Sequence, residues 1–290
     1  LNPMAVELAK LSLWLDCFTL GAPLSFLDHH LRCGNSLVGT KVARAQKGIE
    51  GKRSGKGLKQ MGVFASAFTG LERATQAMLK VGKLTDVTAD QVQESKSQYQ
   101  VALSQLRPYK ALLHVWLSEH FGNDGIQNLF RDYAQEIETS VPCLLEDRSR
   151  PDHIPGKVWA AVANALDFAE GNRFFHWELE FPEVWYEQGE TTDEAGFDAV
   201  VGNPPYDVLA EKELGYDVSD EIGFFKSQPV FQPAIRGKNN LYKLFICRGL
   251  DVTGSGGMFS FIVPMALLGD DQSADVRRML LNDATLQLIE

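Results

Sequence analysis

Ten consecutive residues constrain this chain more than any others: Phe197-Asp198-Ala199-Val200-Val201-Gly202-Asn203-Pro204-Pro205-Tyr206. Phe197 to Val201 is a short apolar run of strand-forming residues, the pattern of a buried strand, and Gly202 closes it. Two consecutive prolines then fix φ and withhold two backbone donors, so no helix or inner strand runs on through them. A stiff loop therefore follows the carboxyl end of a strand, which is where open parallel sheets bind their ligands. Asn-Pro also starts ordinary turns. The apolar strand in front of the loop favours the ligand-facing reading.

Further α/β signals surround this stretch. A helix is expected around Leu241–Asp251, then a turn containing Gly254, Gly256 and Gly257, then a strand Met258–Val263. Phe175, Trp177, Leu179 and Phe181 alternate with His176, Glu178, Glu180 and Pro182, which is strand periodicity. Near the N-terminus, Asn2 caps a helix with Pro3 in its first position, and the apolar residues that follow spread around the circumference, as for a helix packed in an α/β layer. Leu31-Arg32-Cys33 reads as a short strand ended by Gly34-Asn35-Ser36. Between these parts the character changes. Residues 41–60 form a basic, linker-like loop, and residues 61–172 are mostly helical. Thr88 caps a long helix reaching about His120, with Pro108 bending or breaking it; Asn123-Asp124-Gly125 marks a turn. Short helices follow near 126–138 and 157–170, the second stopped by Gly171-Asn172. The expected organisation is an α/β core in two parts, residues 1–40 and 173–290, separated by a basic loop plus helical insertion over 41–172.

Composition narrows the function classes. The chain has 290 residues, 44% hydrophobic and 23% charged, as in ordinary globular proteins. No run of about 18 apolar residues is present, so no membrane partner is expected. The chain opens without Met or a basic leader and reads as a piece of something longer. Cys17, Cys33, Cys143 and Cys247 lie far apart with no C-x-x-C pair, which points to a reducing cytoplasmic compartment and to no metal. His29 and His30 are adjacent, and neighbours on a strand point apart rather than to one ion. The net charge of -10 does not suit a nucleic-acid protein, yet residues 41–60 carry seven Lys and Arg against Glu50 alone. Such a segment either tracks phosphates or is a solvated loop.

The residues of the Asn-Pro-Pro-Tyr loop suit one chemistry. The nitrogen of an exocyclic amino group on a base is delocalised into the ring and is a poor nucleophile. Two neutral acceptors on its hydrogens draw it towards sp3 geometry and offset the charge developed as a methyl group transfers. The Asn203 side-chain oxygen supplies one acceptor; the Pro204 carbonyl, held stiff by Pro205, supplies the second. Tyr206 offers a ring on which a flipped base can stack.

At this point the chain resembles a known family. F-D-A-V-V-G-N-P-P-Y is similar to the catalytic motif of N6-adenine DNA methyltransferases of the large restriction–modification and phage-defence type. L-N-P-M-A-V-E-L-A-K-L-S-L-W-L from Leu1, H-L-R-C-G-N-S-L-V-G from His30, F-H-W-E-L-E-F-P-E-V-W from Phe175, L-Y-K-L-F-I-C-R-G-L and G-G-M-F-S-F-I-V-P resemble its other conserved segments, in order. The resemblance implies a Rossmann-like class I methyltransferase sheet, incomplete at its N-terminal strands, with a mostly helical insertion. It implies S-adenosyl-L-methionine as cofactor, DNA with a flipped adenine as substrate, and a nuclease or specificity region elsewhere in a parent chain. Asn203, Pro204, Pro205 and Tyr206 would hold the adenine, with Asn203 also facing the cofactor. Asn35 and Ser36 would lie against the adenine end of the cofactor, although the family often has an acidic residue where Asn35 stands. Asn2 and Pro3 would border the ribose pocket, and Phe245 would wall the base pocket or serve simply as core. In the family a glycine-rich cofactor loop and its strand would precede Leu1, and another strand would begin at Ile289-Glu290. An unpaired sheet edge, exposed apolar surface and no activity of this chain alone are the corresponding expectations. Two other readings stand beside this one: an amino-group methyltransferase acting on protein glutamine or RNA guanine, and a non-catalytic remnant serving as a scaffold.

Overall fold

The computed structural model describes residues 2–16, 27–52, 65–84, 86, 88–187, 190–192 and 195–288. Expectations placed on Leu1, Cys17, Arg53, Lys56, Lys59 and Ile289-Glu290 lie outside the described residues. The chain is mixed α/β, mostly helical with a small parallel sheet, and divides into two units. The first comprises Leu1–Glu119 and Asn123–Asp193, the second His120–Gly122 and Glu194–Glu290. Among the described residues no helix is long and apolar enough to cross a membrane.

In the first unit, α1 (Pro3–Asp16) starts where its sequence signal lies, the Met4 N–H donating to the Asn2 side-chain oxygen at 3.0 Å. The expected packing of α1 is not found. None of its residues is buried, and Met4, Leu8, Leu11, Leu13 and Leu15 are all exposed. A helix apolar on all sides needs cover on all sides, and the described elements do not supply it. The segment expected to be a basic loop opens instead with a helix, α2 (Val42–Lys52). Val42, Ala45 and Ile49 give it a buried face at helical spacing, and Gly48 lets the Trp116 ring approach so closely that a Cβ would meet it at 2.3 Å.

α3 (Ala65–Val81) and α4 (Ala89–Leu117) form a helical hairpin. On α4, Val92, Ser95, Tyr99, Ala102, Leu106, Tyr109, Leu113 and Trp116 are buried at alternating steps of three and four. Leu71, Ala74, Met78 and Val81 repeat the same spacing on α3. This is the stripe by which two helices interlock. Thr88 and Gln91 make a reciprocal capping box at the start of α4. Pro108 lies within α4 without breaking it. Gly125 turns at φ 82° into α5 (Ile126–Leu145), which kinks at Tyr133 and runs beyond its expected end. α6 (Gly156–Asn172) buries Val158, Val162, Ala165 and Ala169. Its end is set by Arg173 in the left-handed region (φ 51°), with Gly171 still helical.

The alternation of Phe175–Phe181 does not produce a strand. Trp177–Glu180 is one helical turn, α7, and Pro182–Trp185 a second, α8, with Pro182 in its first position. Tertiary contacts override the period-two pattern, because Phe175 and its neighbour His176 are both buried, and so is Leu179 three residues later. A small antiparallel pair, β1 (Tyr186–Glu187) and β2 (Glu190–Thr191), closes the unit. Leu31–Cys33 is not a strand either; only Asn35 makes an isolated parallel bridge, to Phe174.

The second unit holds β3 (Phe197–Gly202), α9 (Glu211–Leu214), α10 (Ser219–Ser227), α11 (Leu241–Val252), β4 (Thr253–Phe261), α12 (Ala266–Gly269) and α13 (Ala274–Asp283). β3 and β4 pair in parallel through the α9–α11 crossover, from Ala199 opposite Met258 to Gly202 opposite Phe261. The glycines expected as a turn lie inside β4, where the register jumps from Thr253 to Met258, with Gly256 at φ 78°. Phe224, Phe231, Tyr242, Leu244, Ile246 and Cys247 form the core beside the sheet. The other face is bare: Val201 is 81% exposed, Met258 61% and Ile262 67%. β3 is therefore a strand as expected, but not the buried one.

Candidate active site

The Asn203–Tyr206 loop begins where β3 stops. The Ile262 N–H donates to the Gly202 carbonyl at 3.1 Å, so both strands end level with each other. Pro204 is buried, whereas Asn203, Pro205 and Tyr206 are exposed. The far end of the loop is tied to the start of α11: the Leu241 N–H donates to the Asp207 carbonyl at 2.9 Å, and the Leu209 N–H to the Asn239 carbonyl at 2.8 Å. Two stiff prolines between two anchored ends leave this loop little freedom. The Tyr206 hydroxyl lies 3.2 Å from the Asn203 side-chain oxygen and 3.3 Å from the Ile262 carbonyl oxygen. Asn203, Tyr206 and the end of β4 are thus brought together at the carboxyl edge of the parallel pair.

α11 carries Phe245, half-buried, and beside it the fully buried Lys243. The Lys243 ammonium donates to the carbonyls of Arg236 (3.0 Å) and Gln272 (3.4 Å), which fastens α11 to the segments on either side. Burial lowers its pKa from the usual lysine value. Neither the Lys243 anchor nor the Ile262 carbonyl was expected from the sequence; both depend on partners remote along the chain, and no local pattern announces them.

The remaining expected site residues belong to the first unit. Asn35 sits in a tight turn: its N–H donates to the Arg173 carbonyl at 2.8 Å, and its side-chain oxygen accepts the Leu37 N–H at 3.3 Å. The Trp177 indole N–H donates to the Ser36 carbonyl at 2.9 Å, and the Phe175 N–H to the Val38 carbonyl at 2.8 Å. At Gly39 a Cβ would fall 1.9 Å from the Phe175 carbonyl oxygen, so only glycine allows this approach. The Thr40 N–H donates to His176 Nδ1 at 3.1 Å, and His176 Nε2 lies 2.9 Å from His114 Nδ1 on α4. Because Nδ1 of His176 accepts, its Nε2 carries the proton and donates to His114. Burial pushes the His114 pKa down to about 3 and that of His176 well below the ordinary value, so both rings are neutral. Next to them Glu180 pairs with Lys110 at 2.7 Å, and Arg32, stacked over the Tyr99 ring, donates to the Glu180 carbonyl. Asn2 and Pro3 open α1, the Asn2 oxygen being engaged as its cap.

His29 and His30 lie in a turn rather than on a strand, their rings 3.7 Å apart, and burial lowers the His29 pKa to about 4. Among the described residues no group of three or more His, Cys, Asp or Glu side chains is arranged to hold a metal ion. The chemistry available at the Asn203 loop is that of neutral acceptors and an aromatic face.

The family model described as Eco57I restriction-modification methylase matches residues 1–290, and the chain belongs to that family. A Methanocaldococcus jannaschii protein, whose provisional name describes a type II restriction enzyme and methyltransferase, is 23% identical over 305 residues. That alignment covers 99% of this chain and 23% of the relative, so the chain spans about a quarter of the length of the protein it matches. No solved structure matches.

Proposed function

We propose that this restriction-modification methylase family member carries the catalytic loop of an S-adenosylmethionine-dependent methyltransferase acting on the N6 amino group of adenine in DNA. The observation that carries this reading is the Asn203 side-chain oxygen, exposed at the carboxyl end of a parallel strand on a loop anchored at both ends. Asn203 and the Pro204 carbonyl accept the two amino hydrogens and direct the nitrogen lone pair outward. Such preorganised groups stabilise the charge that develops during transfer. Pro205 stiffens the loop, and Tyr206, 49% exposed, offers its ring face to a base taken out of the duplex. Phe245, half-buried on α11, is read as an apolar wall of the base pocket.

The Asn35-Ser36 turn fits the adenine end of S-adenosylmethionine. It is half-buried, and the Asn35 amide keeps its donor side after its oxygen has accepted the Leu37 N–H. Asn2 and Pro3 are read as bordering its ribose. When bound, S-adenosylmethionine supplies an activated methyl group, and no strong base is required before transfer. The sheet is read as the carboxyl-side part of a Rossmann-like class I core, and residues 41–172 as a helical insertion within it.

The test is tritium transfer from labelled S-adenosylmethionine to DNA by the full-length protein, with digestion to identify the modified nucleoside. N6-methyladenine is the expected product. Label in protein or RNA would replace DNA as the acceptor, and no label at all would leave a scaffold. In the active protein, Asn203→Ala lowers turnover by about 100-fold or more and barely affects cofactor affinity; near-normal turnover would remove Asn203 from the mechanism.

A further inference from the structure

The Tyr206 phenol stands between two acceptors, the Asn203 side-chain oxygen at 3.2 Å and the Ile262 carbonyl oxygen at 3.3 Å. A hydroxyl has one proton and can serve only one of them at a time. The two acceptors lie within 0.1 Å of the same distance from the hydroxyl, so distance does not choose between them. Their consequences differ. With the proton on Asn203, the amide oxygen is held towards β4 with one of its two acceptor positions filled. With the proton on Ile262, both acceptor positions of the same oxygen are open to an incoming amino hydrogen, and the ring stays pinned just past the end of β4.

We infer that the Tyr206 hydroxyl is a two-position positioning group. It holds the Asn203 oxygen between turnovers and passes its hydrogen bond to the Ile262 carbonyl when the target amino group arrives. This rests on the proposed role of Asn203 and adds to it a second function for Tyr206, separate from stacking. The carbonyl at the end of β4 gives the displaced phenol a partner, so that arrival of the amino group leaves no polar group unpaired at a site from which the base excludes water. A buried unpaired donor would otherwise oppose binding.

Tyr206→Phe in the full-length protein separates the two functions, because it keeps the ring and removes only the hydroxyl. The expected result is a fall in kcat of about 3- to 10-fold, the effect of one neutral hydrogen bond. KM for DNA, KM for S-adenosylmethionine and the thermal midpoint should stay at their parental values. Tyr206→Ala, which removes the ring as well, should also weaken binding of DNA carrying an unpaired target adenine. An unchanged kcat in Tyr206→Phe overturns the inference. So does a loss confined to thermal stability or to KM, since the hydroxyl would then be only a structural tie. The paired variant Asn203→Ala keeps the two levels distinct. If it abolishes turnover while Tyr206→Phe does nothing, only the phenol's role fails. If Asn203→Ala is itself active, the adenine reading fails first.

Discussion

The two units are built from similarly apolar stretches and cover them to very different degrees. In the first, α3 packs on α4, α4 on α5 and α5 on α6, each on the next helix along the chain, whereas α1 buries none of its residues. The stripes of α3 and α4 meet across a short turn, and α5 and α6 add Phe130, Ile137, Val158 and Val162 to a continuous core. In the second, β3 has the residues of an inner strand, yet among the described residues it gains one neighbour, β4, and one covered face. Parallel strands need neighbours on two edges and layers on two faces before their apolar residues are all buried. Helical hairpins are satisfied locally, and parallel sheets are satisfied only by topology. Val201, Met258, Ile262 and Met265 lie on surface of the kind that further strands or helices cover.

Three experiments test that contrast, and a built-in reporter separates the units. Trp14, Trp116, Trp159, Trp177 and Trp185 are the chain's five tryptophans, and all belong to the first unit, so their fluorescence follows that unit alone. The largest effect is expected from Phe130→Ala, which empties a fully buried position. A loss of about 3–5 kcal/mol in urea unfolding is the signature of a close-packed core, and a loss below about 1 kcal/mol would abolish the distinction between the units.

Acid comes next. His114 and His176 have folded-state pKa values lowered by burial, so below about pH 6.5 the unfolded chain binds more protons than the folded one. Their contribution is complete above that pH and declines as the pH falls towards their folded values, by up to about 1.4 kcal/mol per pH unit for each ring. His114→Gln should flatten the decline followed by fluorescence between pH 6.5 and 4.5; an equally steep curve would place the acid sensitivity elsewhere. The smallest effect belongs to the second unit. Val201→Thr on the bare face should change stability by no more than about 0.5 kcal/mol, measured by backbone circular dichroism. A change above about 1 kcal/mol would mean that this face is covered in solution.

The same contrast explains what could be seen in advance. Signals contained within a few residues were readable: the Asn2 and Thr88 caps, the Gly125 turn, the long α4, and the strand that delivers the Asn203 loop. Errors arose where distant contacts decide. Phe175–Phe181 alternates like a strand, but Val38, Ser36 and Thr40 take its hydrogen bonds and bury adjacent residues together. Arg173 ends α6 because its carbonyl is bound by Asn35, a pairing that no glycine rule foresees. The basic character of 41–52 suggested a loop, whereas Val42, Ala45 and Ile49 form a buried helical face there. At the site, the loop was legible in its letters. The tie from Tyr206 to Ile262 was not, since it joins residues 56 positions apart.

The meeting of Val38 with Phe175 has a consequence for how such a chain can change over time. The backbone departs at Thr40 and returns at Phe174–His176 to within a hydrogen bond of its point of departure, so the residues between form a closed excursion. The entropy of closing an excursion rises only with the logarithm of its length, about 0.6 kcal/mol for each doubling. Residues added or lost at the exposed turn between α5 and α6 therefore leave the pairing of Asn35 and Ser36 with Arg173 and Trp177 in register. The anchors that matter, Thr40 to His176, His114 to His176 and Lys110 to Glu180, all lie at the root of the excursion. That exposed turn is where lineages can differ in length while the segments on either side keep their geometry.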